Sequence, residues 1–276
     1  MAIPGVMLLM SPASYRAGAF RDAAARIGLP IVTAVDTPEP LVERVTGRLA
    51  VDFQDPDTAT DRLVAWAGRQ PEPGLAAILA VDDRGTEIAA RASAALGLPH
   101  NDPDSALAAR DKWIMRRALE RGGVPVPRYE AVPADTDPAA IAGQQRYPVV
   151  IKPTLLSGSR GVIRADSPEA FAQAFIRTRR ILERAGMPAG EFPILIEQYV
   201  PGVEVALEGL LTGGELTTLA LFDKPDPLEG PFFEETIYVT PSRLSIYLQH
   251  AISRRTAESA AAVGLRHGPV HAELRV

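Results

Sequence analysis

The sequence predicts an α/β (α+β) protein in two parts, a helix-wrapped parallel sheet over residues 1–99 and a larger part over residues 100–276 in which helices alternate with hairpins. Two observations carry this prediction. From Gly5 to about Leu96, short apolar runs alternate with segments of helical period, the pattern of successive βαβ units. Beyond Asp104 the pattern changes to a helical stretch, a strand-turn-strand run from Tyr147 to Val162, and two strands about Thr212-Gly213-Gly214-Glu215. A chain of 276 residues with 46% hydrophobic and 23% charged content is long enough for two domains and a sizeable core.

Taken in order, Gly5 to Met10 is a buried-type strand, and Ser14 is placed to cap a helix carrying Phe20, Ala23, Ala24 and Ile27. Gly28-Leu29-Pro30 stops that helix. Strands follow at Ile31–Val35, Leu49–Phe53 and Leu75–Val81, with a helix holding Leu63, Val64 and Trp66 before the last and another reaching about Leu96. The alternation predicts a Rossmann-like topology. The first strand is followed by S-P-A-S rather than G-x-G-x-x-G, so no nicotinamide cofactor is expected. Asp36, Asp82 and Asp83 end strands, where they serve either a ligand or a turn.

From Asp104 one helix with Leu107, Ala108, Ile114, Ala118 and Leu119 inward is expected to reach Gly122-Gly123. Val124-Pro125-Val126-Pro127 then reads as a linker. Ser167 caps a long helix with Phe171, Phe175, Ile181 and Leu182. A strand from Phe192 to Glu197 breaks at Gln198-Tyr199-Val200-Pro201-Gly202, and Glu204–Leu211 pairs with Leu216–Leu221 in a hairpin, so a mixed sheet is expected. The loop from Asp223 to Ser242, rich in Pro, Phe and acid, is too long to be idle in a compact domain. Lys224, Glu234, Glu235 and Arg243 on or beside it are either solvated or line an acceptor pocket. A helix over about Ser242–Val263 and a strand over Val270–Val276 complete the order.

Composition narrows the function. A net charge of −5 lacks the basic footprint that a nucleic-acid backbone requires. The absence of cysteine excludes disulfides, thiolate metal sites and thiol nucleophiles and fits a reducing, cytoplasmic setting. The apolar run at the N-terminus spans only Val6 to Met10, and no run of 18 apolar residues occurs, so no membrane span is expected.

The run Y-P-V-V-I-K-P-T-L-L-S-G-S-R-G-V is the chemically suggestive one. Lys152 ends a strand, and Ser157 to Gly161 supply small residues whose backbone N–H groups can close on an anion. It is not a P-loop, because the lysine precedes the glycines and a strand, not a helix, follows. By itself the run fits a phosphate cradle or an ordinary hairpin. Lys112, on the helix before it, fits a ligand or a solvated face.

Five motifs in order resemble the ATP-grasp superfamily of carboxylate–amine ligases, biotin carboxylase and carbamoyl-phosphate synthase large chains. They are D-K-W-I-M-R-R-A-L-E ending in G-G-V-P, V-V-I-K-P with its S-G-S-R-G turn, E-Q-Y-V-P-G, V-E-V-A-L-E-G and the terminal V-H-A-E-L-R. The resemblance implies a pre-ATP-grasp domain over residues 1–99 and an ATP-grasp domain over 100–276, with a lid lobe at about 125–198. It implies that Lys112 and Lys152 bind ATP phosphates, that Ser157, Gly158, Ser159, Arg160 and Gly161 form the lid over them, and that Lys152 and Arg160 serve catalysis; Glu235 is a catalytic candidate if the loop from Asp223 to Ser242 lines the acceptor pocket. Glu197, Tyr199 and Val200 match the adenine hinge, Glu204 the ribose acid and Glu273 a carboxylate for Mg²⁺ or Mn²⁺.

The chemistry so implied is activation of a small carboxylate as an acyl phosphate and attack by an amine, in which catalysis is positioning and charge neutralisation. The alternatives are a nucleotide-binding module without turnover and a biotin carboxylase-like carboxylation, whose usual glycine-run lid is here Ser157-Gly158-Ser159. The family places a second acid and an asparagine, E-x-N, on a strand after Glu273, and this sequence stops at Val276. A chain cut short is therefore expected, with nucleotide binding but impaired turnover, and with self-association, as in a homodimer, through the strand at 270–276.

Overall fold

The computed structural model describes residues 3–12, 14–38, 48–188, 190–234 and 236–276. It separates into two compact units, Met1–Leu107 and Ala108–Val276.

In the first unit the strands β1 (Gly5–Met10), β2 (Ile31–Asp36), β3 (Arg48–Val51) and β4 (Leu75–Ala80) form a parallel sheet in the order β3-β2-β1-β4. The helices α1 (Ala17–Arg26) and α2 (Pro56–Ala67) lie in the crossovers, and α3 (Thr86–Ala95) follows β4 and packs against it and α2. β1 is covered on both faces, which is why it reads as an unbroken apolar run: Met7 and Leu9 join Leu63 and Ile88, and Leu8 joins Phe20 and Val35. The strand-end acids have local partners. Asp82 accepts from the Ser11 backbone N–H at 2.8 Å and the Ser11 hydroxyl at 2.7 Å, and Asp36 accepts from the Phe53 N–H and pairs with Arg84 at 3.0 Å.

Beyond the first sheet two expectations are corrected. The single helix beyond Asp104 is two, α4 (Pro103–Arg110) and α5 (Lys112–Arg121), broken at Asp111. Asp111 turns extended, and its carboxylate accepts from the N–H groups of Trp113 and Ile114 at 2.8 and 3.0 Å, a side-chain cap that starts a new helix at Lys112. The V-P-V-P run is no free linker, because Val124 is buried with Ala118, Leu119 and Val263. The mixed or antiparallel pairing expected of the two-lobed part is met by two antiparallel sheets among the described residues.

One of these sheets has the order β5-β8-β6-β7, from β5 (Tyr129–Pro133), β6 (Val149–Pro153), β7 (Ile163–Ala165) and β8 (Pro193–Gln198). The short α6 (Pro138–Ala142) and the long α7 (Pro168–Arg184) pack with it, and Phe171 and Phe175 of α7 are fully buried against Ile151, Ile163, Ile194 and Ile196. Each such phenylalanine contributes roughly 1.5–3 kcal/mol of burial. The other sheet has the order β10-β9-β11, from β9 (Glu204–Thr212), β10 (Glu215–Asp223) and β11 (Gly268–Arg275). Its apolar face, Val205, Leu207 and Leu221, is covered by Ile252 of α8 (Ile246–Val263), and its other face is polar. Among the described residues no helix is long and apolar enough to cross a membrane.

Removing the Asp111 cap should cost about 1 kcal/mol. In a Trp66→Phe background Trp113 is the remaining tryptophan, so its fluorescence during urea denaturation reports the second unit. Asp111→Ala is expected to lower that midpoint, and an unchanged midpoint would remove the carboxylate from the account of where α5 begins.

Candidate functional site

The candidate residues of the second unit fall into two ion clusters joined by the chain that leaves β8. In the first, Lys152 lies on β6, Glu197 on β8 and Arg116 one helical turn after Lys112 on α5. Glu197 receives Lys152 Nζ at 2.5 Å on one oxygen and Arg116 Nε at 2.6 Å on the other. The side chains keep only 14% (Lys152), 20% (Arg116) and 6% (Glu197) of their surface. Burial opposes ionisation of Glu197, but Lys152 and Arg116 together outweigh it and hold the carboxyl below its ordinary value. Burial likewise pulls the Lys152 ammonium below its ordinary value, and Glu197 restrains the fall.

Lys112, the first residue of α5, donates Nζ to Leu156 O at 2.6 Å, which places it at the root of the Ser157–Gly161 turn. The turn is built from left-handed residues, Gly158 at φ 64°, Ser159 at 53° and Gly161 at 77°. Val162 N–H closes it on Ser159 O, and Thr178 Oγ1 anchors it by donating to Gly161 O at 3.0 Å. Arg160 is exposed and donates to Ser157 O at 3.3 Å, so it stays with the turn and has no described contact with either cluster.

The second cluster is on the polar face of the β10-β9-β11 sheet. Register sets Arg275 opposite Glu204, Glu273 opposite Ala206 and His271 opposite Glu208. Lys224, nearly fully buried just after β10, reaches Glu204 at 2.8 Å and Glu273 at 2.5 Å. His271 touches Glu208 at 2.7 Å and Glu273 at 3.6 Å. The hydrogen bond to Glu273 and the Glu208 carboxylate outweigh burial and raise its pKa to about 9.

Between the clusters, Tyr199 spends its backbone N–H on Pro148 O at 3.1 Å, and Val200 stays 40% exposed. Gly202, at φ 121°, passes so close to Val276 that a Cβ would lie 2.3 Å from its carbonyl oxygen, so only glycine fits this crossing. Glu273 is close enough to act on the Lys152 charge. Glu235 lies outside the described residues. Glu234 and Arg243 are exposed. Arg116 and Arg275 were not singled out from sequence. The available signals were the i, i+4 spacing of Arg116 from Lys112 and the i, i+2 spacing of Arg275 from Glu273.

The profile of the ATP-grasp domain matches residues 145–276. An alanine–anticapsin ligase of Bacillus amyloliquefaciens is 28% identical over 202 residues, which are 68% of this chain and 42% of that protein. A D-alanine–D-alanine ligase of Aromatoleum aromaticum is 27% identical over 164 residues, 57% of this chain and 49% of that one. The chain thus spans less than half the length of these relatives. Among solved structures, an L-amino acid ligase from Bacillus licheniformis superposes with a TM-score of 0.81 at 24% identity, over 99% of this chain and 65% of that one, a likeness of fold.

Glu197→Gln would leave two cations in a covered site without their anion, which costs roughly 3–5 kcal/mol. Because the folded carboxyl titrates below the ordinary value of 4.5, its stabilisation is complete above that value and is lost as pH falls through the folded one. Denaturation followed at Trp113 across this acid range should show a limb in the parent that the variant lacks. Parallel pH curves for the two would overturn the assignment of that limb to Glu197.

Proposed function

Because residues 145–276 are an ATP-grasp domain, we propose that this chain is an ATP-dependent ligase that activates a small carboxylate, foremost an amino acid, for attack by an amine. The observation that carries the reading is the covered Lys152–Glu197–Arg116 cluster beside the Ser157–Gly161 turn. Two cations share one carboxylate there, and an incoming phosphate is the anion that completes the balance. The names of the relatives, ligases of L-amino acids, of alanine with anticapsin and of D-alanine with D-alanine, support an amino acid as the carboxylate.

In this reading Lys112 and Lys152 hold the phosphates, with the N–H groups of Ser157, Gly158, Ser159 and Gly161 above them. Arg160 closes from the turn onto the phosphoryl group in transfer. The base lies along Glu197, Tyr199 and Val200. With the Tyr199 N–H already bonded to Pro148, its neighbours supply the remaining backbone groups. Glu204, held by Lys224 and Arg275, receives the ribose. The γ-phosphoryl group passes to a carboxylate oxygen as ADP leaves. The amine nitrogen then bonds to the acyl carbon, phosphate departs with the bonding pair, and the amine gives up a proton. Glu235 is the candidate to orient the acceptor.

Magnesium or manganese, when bound, neutralises phosphate charge. Glu273 fits such an ion as a carboxylate shared with phosphate oxygens, the usual manner of Mg²⁺. Among the described residues no group of three or more His, Asp or Glu could hold a metal ion, so the nucleotide has to supply part of the shell.

Lys112→Ala and Lys152→Ala are each expected to weaken a non-hydrolysable ATP analogue by about ten- to a hundredfold in calorimetric titration, the equivalent of roughly 1.5–3 kcal/mol for a charge-assisted contact. Unchanged affinity in both would remove the phosphate assignment. ADP release is expected to require an amino acid and an amine acceptor. Release that requires biotin and bicarbonate instead would overturn the ligase reading in favour of carboxylation.

A further inference from the structure

Arg275 makes contacts that neither the phosphates nor the metal account for. Its Nη1 donates to Tyr199 Oη and Val200 O at 3.3 Å and to Gly202 O at 3.4 Å, all on the segment that leaves β8. Its Nη2 donates to Glu204 at 3.1 Å and to Leu228 O at 2.5 Å, the latter inside the loop of residues 224–242. The guanidinium also lies 5.3 Å from the Tyr199 ring centroid and 5.7 Å from that of Phe233, in the same loop. We propose that Arg275 is a positioning residue that couples the hinge to this loop, so that a nucleotide in the one orders the other. The inference rests on the ligase reading, in which the hinge takes the base and the loop meets the acceptor.

The residue type is specific to the task. A guanidinium is a rigid planar fork with five donors, so one group bonds two segments at once and stacks on rings as well. A lysine ammonium, a point charge on a flexible stem, cannot hold both sides. The loop needs such a tether. Among its described residues it forms no helix or strand, and Glu229, Gly230, Pro231, Phe232 and Glu234 are exposed. It is also held by Arg164 N–H to Pro231 O at 2.9 Å, by Arg164 Nη1 to Glu229 O at 2.8 Å, by bridges pairing Phe232 with Ile163 and Val239 with Asp223, by Arg177 4.7 Å from the Phe232 ring centroid, and by the buried Lys224 at its start. Arg164 also stacks on Tyr199, 4.1 Å from its centroid. The aromatic side chain at the hinge is therefore gripped by two of the arginines that hold the loop. A segment held by separate side-chain tethers rather than by a continuous ladder opens locally, and a change at the hinge alters the cost of that opening. Coupling of this kind is reciprocal: a loop closed on its substrate tightens the nucleotide by the same factor.

The experiment is hydrogen exchange of the full chain with and without ADP, for the parent, Arg275→Lys, Arg275→Met and Tyr199→Phe. In the parent, ADP is expected to slow exchange in residues 224–242 about tenfold or more. Both Arg275 variants should bind ADP about tenfold more weakly and, at saturating ADP, lose the slowing in the loop while α8 keeps its protection. Tyr199→Phe drops one hydroxyl contact, should fold even where an Arg275 variant does not, and should lose part of the slowing. A parent that binds ADP with no change in the loop, or variants whose loops are slowed as in the parent, would overturn the coupling and leave the ligase reading standing. A parent that binds no ADP would overturn both.

Discussion

The second unit depends on a carboxylate shared by two cations in a covered site. Glu197 is held by Lys152 and Arg116, and the three side chains come from β8, β6 and α5. Desolvation of three charges is expensive, and the attraction between them offsets it only where geometry is good and the pairs are complete. The arrangement therefore fixes how the helix and the strands meet more strictly than apolar packing does, since a displaced side chain leaves an unpaired charge. Two positive charges against one negative also leave the cluster one anion short, which is the property the proposed phosphate site draws on.

Much of this was legible in the sequence where the signal is local. The apolar run of β1, the Gly/Ser turn after Lys152 and the Thr212–Glu215 hairpin are each set by neighbours in the chain. The break before Lys112 was equally local and was passed over, because an aspartate inside a helical period reads as a surface residue until its backbone is seen to turn extended. The partnership of Arg116 with Glu197 was beyond reach, since they lie 81 positions apart and α5 carries two other arginines, Arg117 and Arg121. So was the pairing of β5 with β8, which joins strands sixty or more residues apart, whereas the antiparallel pairing of β9 with β10 is carried by its turn. The roles proposed for Lys112, Lys152, Glu204 and Glu273 rest on motif order, and the geometry adds the partners that such an order does not contain.

In the proposed reading, the polar sheet face is a site rich in acid that still admits a polyanion. Glu204, Glu208 and Glu273 are answered by Lys224, Arg275 and His271, the last kept cationic at neutral pH by its carboxylate neighbours. The face is thus close to neutral as a whole while its charges remain individually placed. A nucleotide approaching it meets oriented dipoles and exchangeable partners rather than a net repulsive field.

The alternation along β9 and β11 has a consequence for how this chain can vary. Glu204, Glu208, His271, Glu273 and Arg275 share one face because they lie an even number of residues apart or directly across the ladder. Deleting or inserting a single residue within either strand would turn that strand over, sending its charges toward Ile252 of α8 and its apolar side chains toward the site. Substitutions at one position disturb one contact, whereas a one-residue change of length exchanges core for site along the whole strand. Length variation in this half of the protein is therefore confined to the connections, with the Gly213-Gly214 turn and the loop of residues 224–242 as the places able to absorb it.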